Sequence, residues 1–223
     1  MANILNIETS TTNCSVAISV NGERVVLKED NSSSYSHAER LHIYIDEALD
    51  SAQISRNELH AVAVSKGPGS YTGLRIGVSA AKGLCYALDI PLISVPTLEA
   101  LARKVELEKG YIVAMLDARR NEVYSAVFDP NYQCIDPTSA KILDLSSYGD
   151  ILQNHPVYFI GNGVEKTQSI IYHPNAHFDA QLPSAQYMCG LSYAKFKACD
   201  FEDLAYFEPF YLKDFIAIPS NKI

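Results

Sequence analysis

The chain has 223 residues, of which 48% are hydrophobic and 20% are charged, and its formal net charge is −8. This composition is that of a globular protein and excludes a chain that is disordered or of low complexity in bulk. Because an acidic protein attracts phosphate backbones poorly, we expect any nucleic-acid contact to be carried mainly by a partner.

The five cysteines and the first residues suggest a cellular compartment. The cysteines are odd in number and form no C-x-x-C pair, which predicts reduced thiols rather than a disulfide framework or a zinc site. The segment Met1-Ala2-Asn3-Ile4 lacks a basic region, and no apolar run approaches about 18 residues. We therefore expect a cytoplasmic protein without membrane contact.

The first thirty residues predict three strands in an antiparallel meander. Apolar residues alternate over 3–8, 14–20 and 23–28. The dipeptide Asn21-Gly22 between the last two strands is a strong hairpin signal.

A helix over 36–52 is predicted next. Ser36 and Glu39 have the spacing of a capping box. Ile43 and Tyr44 fall off the apolar stripe and suggest a second contact surface. The stripe itself consists of Leu41, Ile45, Ala48, Leu49 and Ala52.

His37 and His42 lie on this helix and invite a metal-binding interpretation. They are five residues apart, which places them about 140° apart around a helix. We instead expect a polar histidine near the helix start and a histidine on the surface.

A glycine-rich segment follows a short apolar strand over 60–64. The turn at Gly67-Pro68-Gly69 leads into a helix over about 73–88, with Ser70 or Thr72 as the cap. Such a loop can bind an anion, and Lys66 could neutralise one or simply be solvated. However, no Lys-Ser or Lys-Thr pair follows the glycines, and the dinucleotide spacing fails by one residue. A phosphate site and a tight turn with close helix packing both remain open.

The helix over 73–88 has an unusual stripe of small residues. Interior glycines cost a helix about 1 kcal/mol each relative to alanine, so a close neighbour should compensate. That neighbour is either the core of the same chain or a partner protein. The stripe comprises Gly73, Gly77, Ala80, Ala81, Leu84 and Leu88.

The second half of the sequence repeats the pattern with which the first half begins. A strand over 89–95 and a helix over 96–102 precede Gly110, a plausible boundary between subdomains at 1–109 and 110–223, the second shorter and less regular. Strands are then predicted over 111–117, 121–128 and 157–160, and helices near 145–153 and 184–199.

The search for catalytic chemistry leaves few candidates. There is no G-x-S-x-G or H-E-x-x-H motif. The segment Glu8-Thr9-Ser10-Thr11 could hold a phosphate or Mg²⁺, or could be a polar turn at a strand end. Asp117 and Arg119 could form a pair that faces a cleft or one that stabilises a hairpin.

Several segments together resemble the TsaB (YeaZ) family. The most specific is the run from Lys66 to Gly77, KGPGSYTGLRIG. The other matching segments occur in the family's order: Ile7-Glu8-Thr9-Ser10, Pro91 to Leu101, Leu116-Asp117-Ala118-Arg119, Glu122-Val123-Tyr124, Gly161-Asn162-Gly163 and Pro209-x-Tyr211-Leu212-Lys213. The resemblance implies an α/β chain with a duplicated actin/Hsp70/sugar-kinase-like (ribonuclease H-like) fold in two subdomains. It also implies a part in making threonylcarbamoyladenosine next to the tRNA anticodon.

In that family the chain is expected to be a non-catalytic partner of a TsaD-like catalytic subunit. A TsaE-like ATPase joins the assembly, tRNA is contacted indirectly through the complex, and the chain alone forms a homodimer. The paralogue carries a His-x-x-x-His metal pair, and Thr97 and Leu101 stand at those two positions here. We therefore expect no catalytic residue, no metal and no cofactor, with nucleotide binding only at the level of the complex.

The resemblance also assigns residues to surfaces. A vestigial phosphate site would comprise Glu8, Thr9, Ser10, Gly67, Gly69 and Ser70. The partner or dimer interface on the two helices would comprise Leu41, Ile43, Tyr44, Ile45, Gly73, Arg75, Gly77, Ala81, Leu84 and Leu88. The alternatives are an ATP-dependent small-molecule kinase, a protease, or a nucleotide-binding module without a partner.

Overall fold

The computed structural model describes residues 1–30 and 37–213, which form two five-stranded mixed sheets with helices. The first sheet has the order β3-β2-β1-β4-β5. Its strands are β1 (Asn3–Glu8), β2 (Cys14–Val20), β3 (Glu23–Asp30), β4 (Ala61–Gly67) and β5 (Leu92–Pro96). The predicted meander β1-β2-β3 is confirmed, and β4 and β5 continue the sheet in parallel with β1.

Two long helices cover one face of this sheet. They are α1 (His37–Ala52) and α2 (Tyr71–Leu88), with a short 3-10 helix (Arg56–Glu58) between α1 and β4. Leu41 and Ile45 of α1 are buried against the sheet, as the apolar stripe requires. Ser36 of the predicted capping box lies outside the described residues.

The second sheet repeats the plan of the first. Its order is β10-β9-β6-β7-β8, so that an antiparallel meander is again followed by two strands parallel to its first strand. The strands are β6 (Tyr111–Asp117), β7 (Glu122–Phe128), β8 (Cys134–Ile142), β9 (Val157–Ile160) and β10 (Ala176–Asp179). The duplicated α/β fold is thus confirmed.

Each sheet is partly covered by helices from the other half of the sequence. Helix α3 (Thr97–Ala102) follows the first sheet in sequence, but its Leu98 and Leu101 pack against Ile112 in the core of the second. Conversely, a 3-10 helix (Ala185–Met188) and α6 (Cys189–Lys197) return to the second face of the first sheet. Each half of the sequence therefore supplies part of the core of the other.

Some elements differ from the predictions. Strand β8 has mostly exposed residues and lacks the alternation that would have revealed it. Strand β10 alternates, but over only four residues, which is too short a signal. The predicted helix near 145–153 is only one turn, α4 (Gly149–Leu152), and a short α5 (Val164–Gln168) follows β9.

After α6 the segment 202–213, which we call the strap, continues without a further helix and includes a turn at 204–206. It begins at the edge of the first sheet, where Glu202 N–H donates to the Leu92 carbonyl (2.9 Å). Lys82 of α2 then holds the strap through the carbonyls of Ala205 and Phe207 (3.1 and 3.2 Å). The strap thus reaches the glycine-rich loop between β4 and α2.

Candidate functional site

The loop between β4 and α2 is closed by the chain itself. Ser70 is the cap of α2 and accepts a hydrogen bond from Gly73 N–H (3.2 Å). Its own N–H donates to the Ser10 carbonyl (2.7 Å), and Gly67 N–H donates to Thr97 Oγ1 (3.2 Å). A side chain at Gly69 would lie only 2.6 Å from Ser10 Cβ. Three amides of the loop therefore already have protein partners, and the turn after β1 fills the space beside Gly69.

Glu8 lies at the centre of this packing. Its carboxylate is fully buried and accepts hydrogen bonds from Ser10 N–H (2.6 Å) and the Ser65 hydroxyl (2.9 Å). Burial raises the pKa of Glu8, and the hydrogen bonds from Ser10 and Ser65 oppose that rise. A carboxyl group that is enclosed in this way is unsuited to binding phosphate and is shielded from solvent. The predicted phosphate-binding residues are brought together, but as an interior contact between β1, β4 and α2.

The strap passes over the same loop. Phe210 N–H donates to the Lys66 carbonyl (2.7 Å), and a side chain at Gly67 would lie 2.8 Å from the Phe210 carbonyl oxygen. Beyond it, the Tyr211 ring packs on the Tyr71 ring with centroids 5.1 Å apart. The sequence indicated no role for the strap, since a segment without periodicity does not reveal which loop it crosses.

The small residues of α2 pack inside the chain. Thr9 Oγ1 donates to the Gly73 carbonyl (2.8 Å), and a Cβ at Gly73 would overlap the Thr9 carbonyl oxygen. A Cβ at Gly77 would overlap the Thr9 hydroxyl. The alternative of internal packing thus explains both glycines and compensates for their cost to the helix.

The outer face of α1 and α2 forms a groove of about 740 Å³. Of the predicted interface residues, Arg75 and Leu84 line it, and Ile43 (54% exposed) and half-buried Tyr44 lie on α1. Leu88 is partly buried against the core, whereas Leu41, Ile45, Gly73, Gly77 and Ala81 are buried within the chain and present no surface. The full lining is Ala38, His42, Tyr71, Thr72, Arg75, Ile76, Ser79, Ala80, Gly83 and Leu84.

The two histidines of α1 lie in the expected kinds of position. His42 is exposed and lines the groove. His37 is buried, with Nε2 2.6 Å from the Thr11 carbonyl oxygen, and burial lowers its pKa. His37 thus lies at the start of α1 and makes a polar contact, as expected; its burial follows because α1 begins against the turn after β1.

Thr97 and Leu101, which the resemblance set at two metal-ligand positions, both belong to the core. Thr97 is buried and accepts the hydrogen bond from Gly67, and Leu101 is buried between α3 and the second sheet. Within 1–30 and 37–213, no group of three or more His, Cys, Asp or Glu side chains could hold a metal ion.

At the end of β6 the predicted pair of Asp117 and Arg119 is not an ion pair. Arg119 contributes only its N–H to Asp117 Oδ1 (2.5 Å). The charge partner of Asp117 is Lys166 of α5 (3.0 Å), and Asn162 accepts from Asp117 N–H (2.9 Å). The structure therefore agrees better with the interpretation that Asp117 stabilises the hairpin. Its charge partner is Lys166, which the sequence spacing does not reveal.

Taken together, the two sheets of identical plan define an α/β protein of the duplicated actin-like class. The activator of the 2-hydroxyisocaproyl-CoA dehydratase from Clostridium difficile, solved with bound ADPNP, shares this fold at 11% identity, with a TM-score of 0.50 over 89% of the chain and 96% of that chain. In the described part of the chain, every helix is too short or too polar to cross a membrane.

The family follows from the sequence and structure comparisons. The family model "TsaD: tRNA N6-adenosine threonylcarbamoyltransferase" matches residues 30–216. The tRNA threonylcarbamoyladenosine biosynthesis protein TsaB of Haemophilus influenzae is 30% identical, over 95% of this chain and 93% of that protein. YeaZ from Pseudomonas aeruginosa has a TM-score of 0.79 at 26% identity, over 95% of this chain and 100% of that chain. The chain belongs to the TsaB family of tRNA threonylcarbamoyladenosine biosynthesis proteins.

Proposed function

We propose that the chain is a non-catalytic scaffold that activates a TsaD-like transferase during threonylcarbamoyladenosine synthesis on tRNA. The observation that carries the proposal is a contrast between two surfaces. The loop that would serve catalysis is filled by Ser10 and the strap. The groove on the outer face of α1 and α2 is open.

The closed loop argues against independent phosphoryl transfer. A kinase needs free loop amides for the phosphates and a solvent-accessible base. Here the Ser70 and Gly67 amides donate to protein oxygens, and Glu8 is fully buried. Chemistry and most of the tRNA contact would then be the work of the transferase subunit and a TsaE-like ATPase.

The groove suits a helical partner. The lining combines small residues, Ala38, Ala80 and Gly83, with larger ones such as Leu84 and Tyr71, so another helix can approach closely. Arg75 stands at one end over the Tyr71 ring (4.8 Å), and no carboxylate pairs with it in the part of the chain described. The same surface would pair with a second copy of the chain in a homodimer when the partner is absent.

The test uses two glycines that have open space around them. A side chain at Gly83 in the groove, or at Gly190 on α6, would meet nothing within 4 Å. Gly83→Arg should therefore fill the groove without disturbing the fold, and Gly190→Arg adds the same side chain on the opposite face of the sheet. We expect Gly83→Arg to abolish co-purification with the TsaD-like subunit and tRNA modification, and Gly190→Arg to preserve both.

Two results would contradict the proposal. One is full tRNA modification by the partner without this chain, or with the Gly83→Arg variant. The other is turnover of ATP by the purified chain alone, measured beside a calorimetric titration with Mg²⁺-ATP. That second result would favour the kinase interpretation.

A further inference from the structure

The turn between β6 and β7 holds two arginines in an unfavourable conformation. Arg119 and Arg120 have φ of 67° and 50°, in the left-handed region. Glycine, asparagine and aspartate are the residues that occupy such hairpin positions readily. The chain uses that solution in its other tight hairpin, where Asn21 and Gly22 have φ of 52° and 88°. The turn itself therefore does not explain why two arginines stand at the tip between β6 and β7.

These arginines also lack charge partners. Among the lysines and arginines in 1–30 and 37–213, most pair with a carboxylate, donate to an uncharged oxygen or lie over a tyrosine ring. Four have none of these contacts: Lys66, Lys109, Arg119 and Arg120. Arg119 and Arg120 follow the end of β6, Lys66 is near the end of β4, and Lys109 precedes the start of β6.

The strap joins the ends of β4 and β6 into one surface. It is bonded to Lys66 through Phe210, and its Lys213 forms an ion pair with Glu122 beside the arginine turn. Lys166 likewise pairs with Asp117. The two carboxylates next to the turn are therefore already neutralised, and the charge that remains there is positive.

Tyrosine rings lie within this positive surface. Lys213 Nζ is 6.0 Å from the centroid of the Tyr124 ring. Burial raises the pKa of Tyr124, and the positive charge of Arg119 opposes that rise. The Tyr211 ring, two residues before Lys213 on the strap, packs on the Tyr71 ring. Cations interleaved with aromatic rings are typical of surfaces that bind single-stranded or looped nucleic acid.

We propose that the arginine turn, with Lys66 and the adjoining tyrosines, is a contact surface for the phosphodiester backbone of an RNA strand. The inference rests on the proposed function, since the RNA would be the tRNA that is held mainly by the transferase subunit. Because the chain as a whole has a net charge of −8, we expect its RNA contact to be limited to this local positive surface. The turn contributes to the position of the RNA in the assembled complex and takes no part in chemistry.

The experiment titrates a fluorescently labelled anticodon stem-loop RNA into the complex of this chain with its TsaD-like subunit. Arg119→Ala/Arg120→Ala should weaken binding about tenfold and flatten the salt dependence of log Kd by about 1.4, the value for two phosphate contacts in a single strand. Lys109→Ala is the control, because it removes an equally unpaired cation at the opposite end of β6. It should leave affinity and salt dependence unchanged.

A second variant separates RNA binding from folding. Arg119→Asn/Arg120→Gly removes the same charges but suits the turn. It should lose RNA affinity to the same extent while its thermal midpoint rises by about 2–4 °C. RNA affinity equal to that of the Lys109→Ala complex would overturn the inference, as would a loss of transferase binding instead of RNA binding.

Failure of the proposed function gives a different result. In that case the unaltered chain forms no complex with the transferase subunit in size-exclusion chromatography. The same RNA titration on the chain alone at low salt then decides the inference, since the Arg119→Asn/Arg120→Gly variant must still bind more weakly than Lys109→Ala.

Discussion

Replacing Gly73 by alanine tests whether the small residues of α2 serve the core or a partner. A Cβ at this position would lie 3.3 Å from the Thr9 carbonyl carbon and would overlap its oxygen. The obstacle is the backbone of Thr9, directly after the central strand β1, so no side chain can rotate away. Helix α2 or the end of β1 must shift, and the hydrogen bond from Thr9 Oγ1 to the Gly73 carbonyl must lengthen.

The expected cost follows from three contributions. Overpacking of a tight contact costs about 3 kcal/mol at the upper end of its usual range. Loss of the Thr9 hydrogen bond costs about 1 kcal/mol, and the helix preference for alanine returns about 1 kcal/mol. The net destabilisation is about 3 kcal/mol, which lowers the thermal midpoint of a chain of this size by about 6–12 °C.

The assay is thermal and urea unfolding of Gly73→Ala beside Gly83→Ala. Gly83 is on the same helix but has open space around it, so its substitution should raise the midpoint by about 2–4 °C. If Gly73→Ala were as stable as the unaltered chain and bound the partner less well, the assignment of this glycine to the core would be refuted.

Two further predictions concern Glu8 and the strap. Burial raises the pKa of Glu8 above its ordinary value of 4.5; the stability linked to this group is therefore complete at lower pH and is lost as pH rises through the raised pKa. Glu8→Gln should remove that decline, so that in urea unfolding the variant is more stable than the unaltered chain at pH 8 and equally stable near pH 4. An identical pH profile of stability for both proteins would contradict a raised pKa at Glu8. Tyr211→Ala should remove a ring contact worth about 1 kcal/mol and speed hydrogen exchange of the Phe210 amide about fivefold. The control is Tyr206→Ala on the same strap. It removes a ring that is 85% exposed and should leave the exchange rate unchanged.

Local signals predicted the regular parts of the fold. The alternation over 3–8 and 14–20 and the Asn21-Gly22 turn correspond to β1, β2 and the hairpin that follows them. The repeated start at Tyr111 predicted the second sheet, because a duplicated fold repeats its hydrophobic pattern. Ser70, one of the two proposed caps, is the cap of α2 because its hydroxyl reaches the Gly73 amide.

Longer-range features could not be derived in this way. A stripe of small residues indicates close approach but does not identify the neighbour, which for Gly73 and Gly77 is Thr9, more than sixty positions earlier in the sequence. Strand β8 contains Pro137 and mostly exposed residues, so only its pairing with β7 defines it. The charge partner of Asp117 and the path of the strap likewise depend on tertiary contacts between distant segments.

The exchange of helices between the sheets has a consequence for synthesis on the ribosome. The first sheet is made early, but one of its faces stays bare until residues 185–197 have been added. A nascent chain that has only just completed β5 would expose Ile4, Ala63 and Val95 to water. Although the sequence looks like two consecutive units, its halves must complete each other, and a fragment cut at the join would leave each sheet without part of its cover.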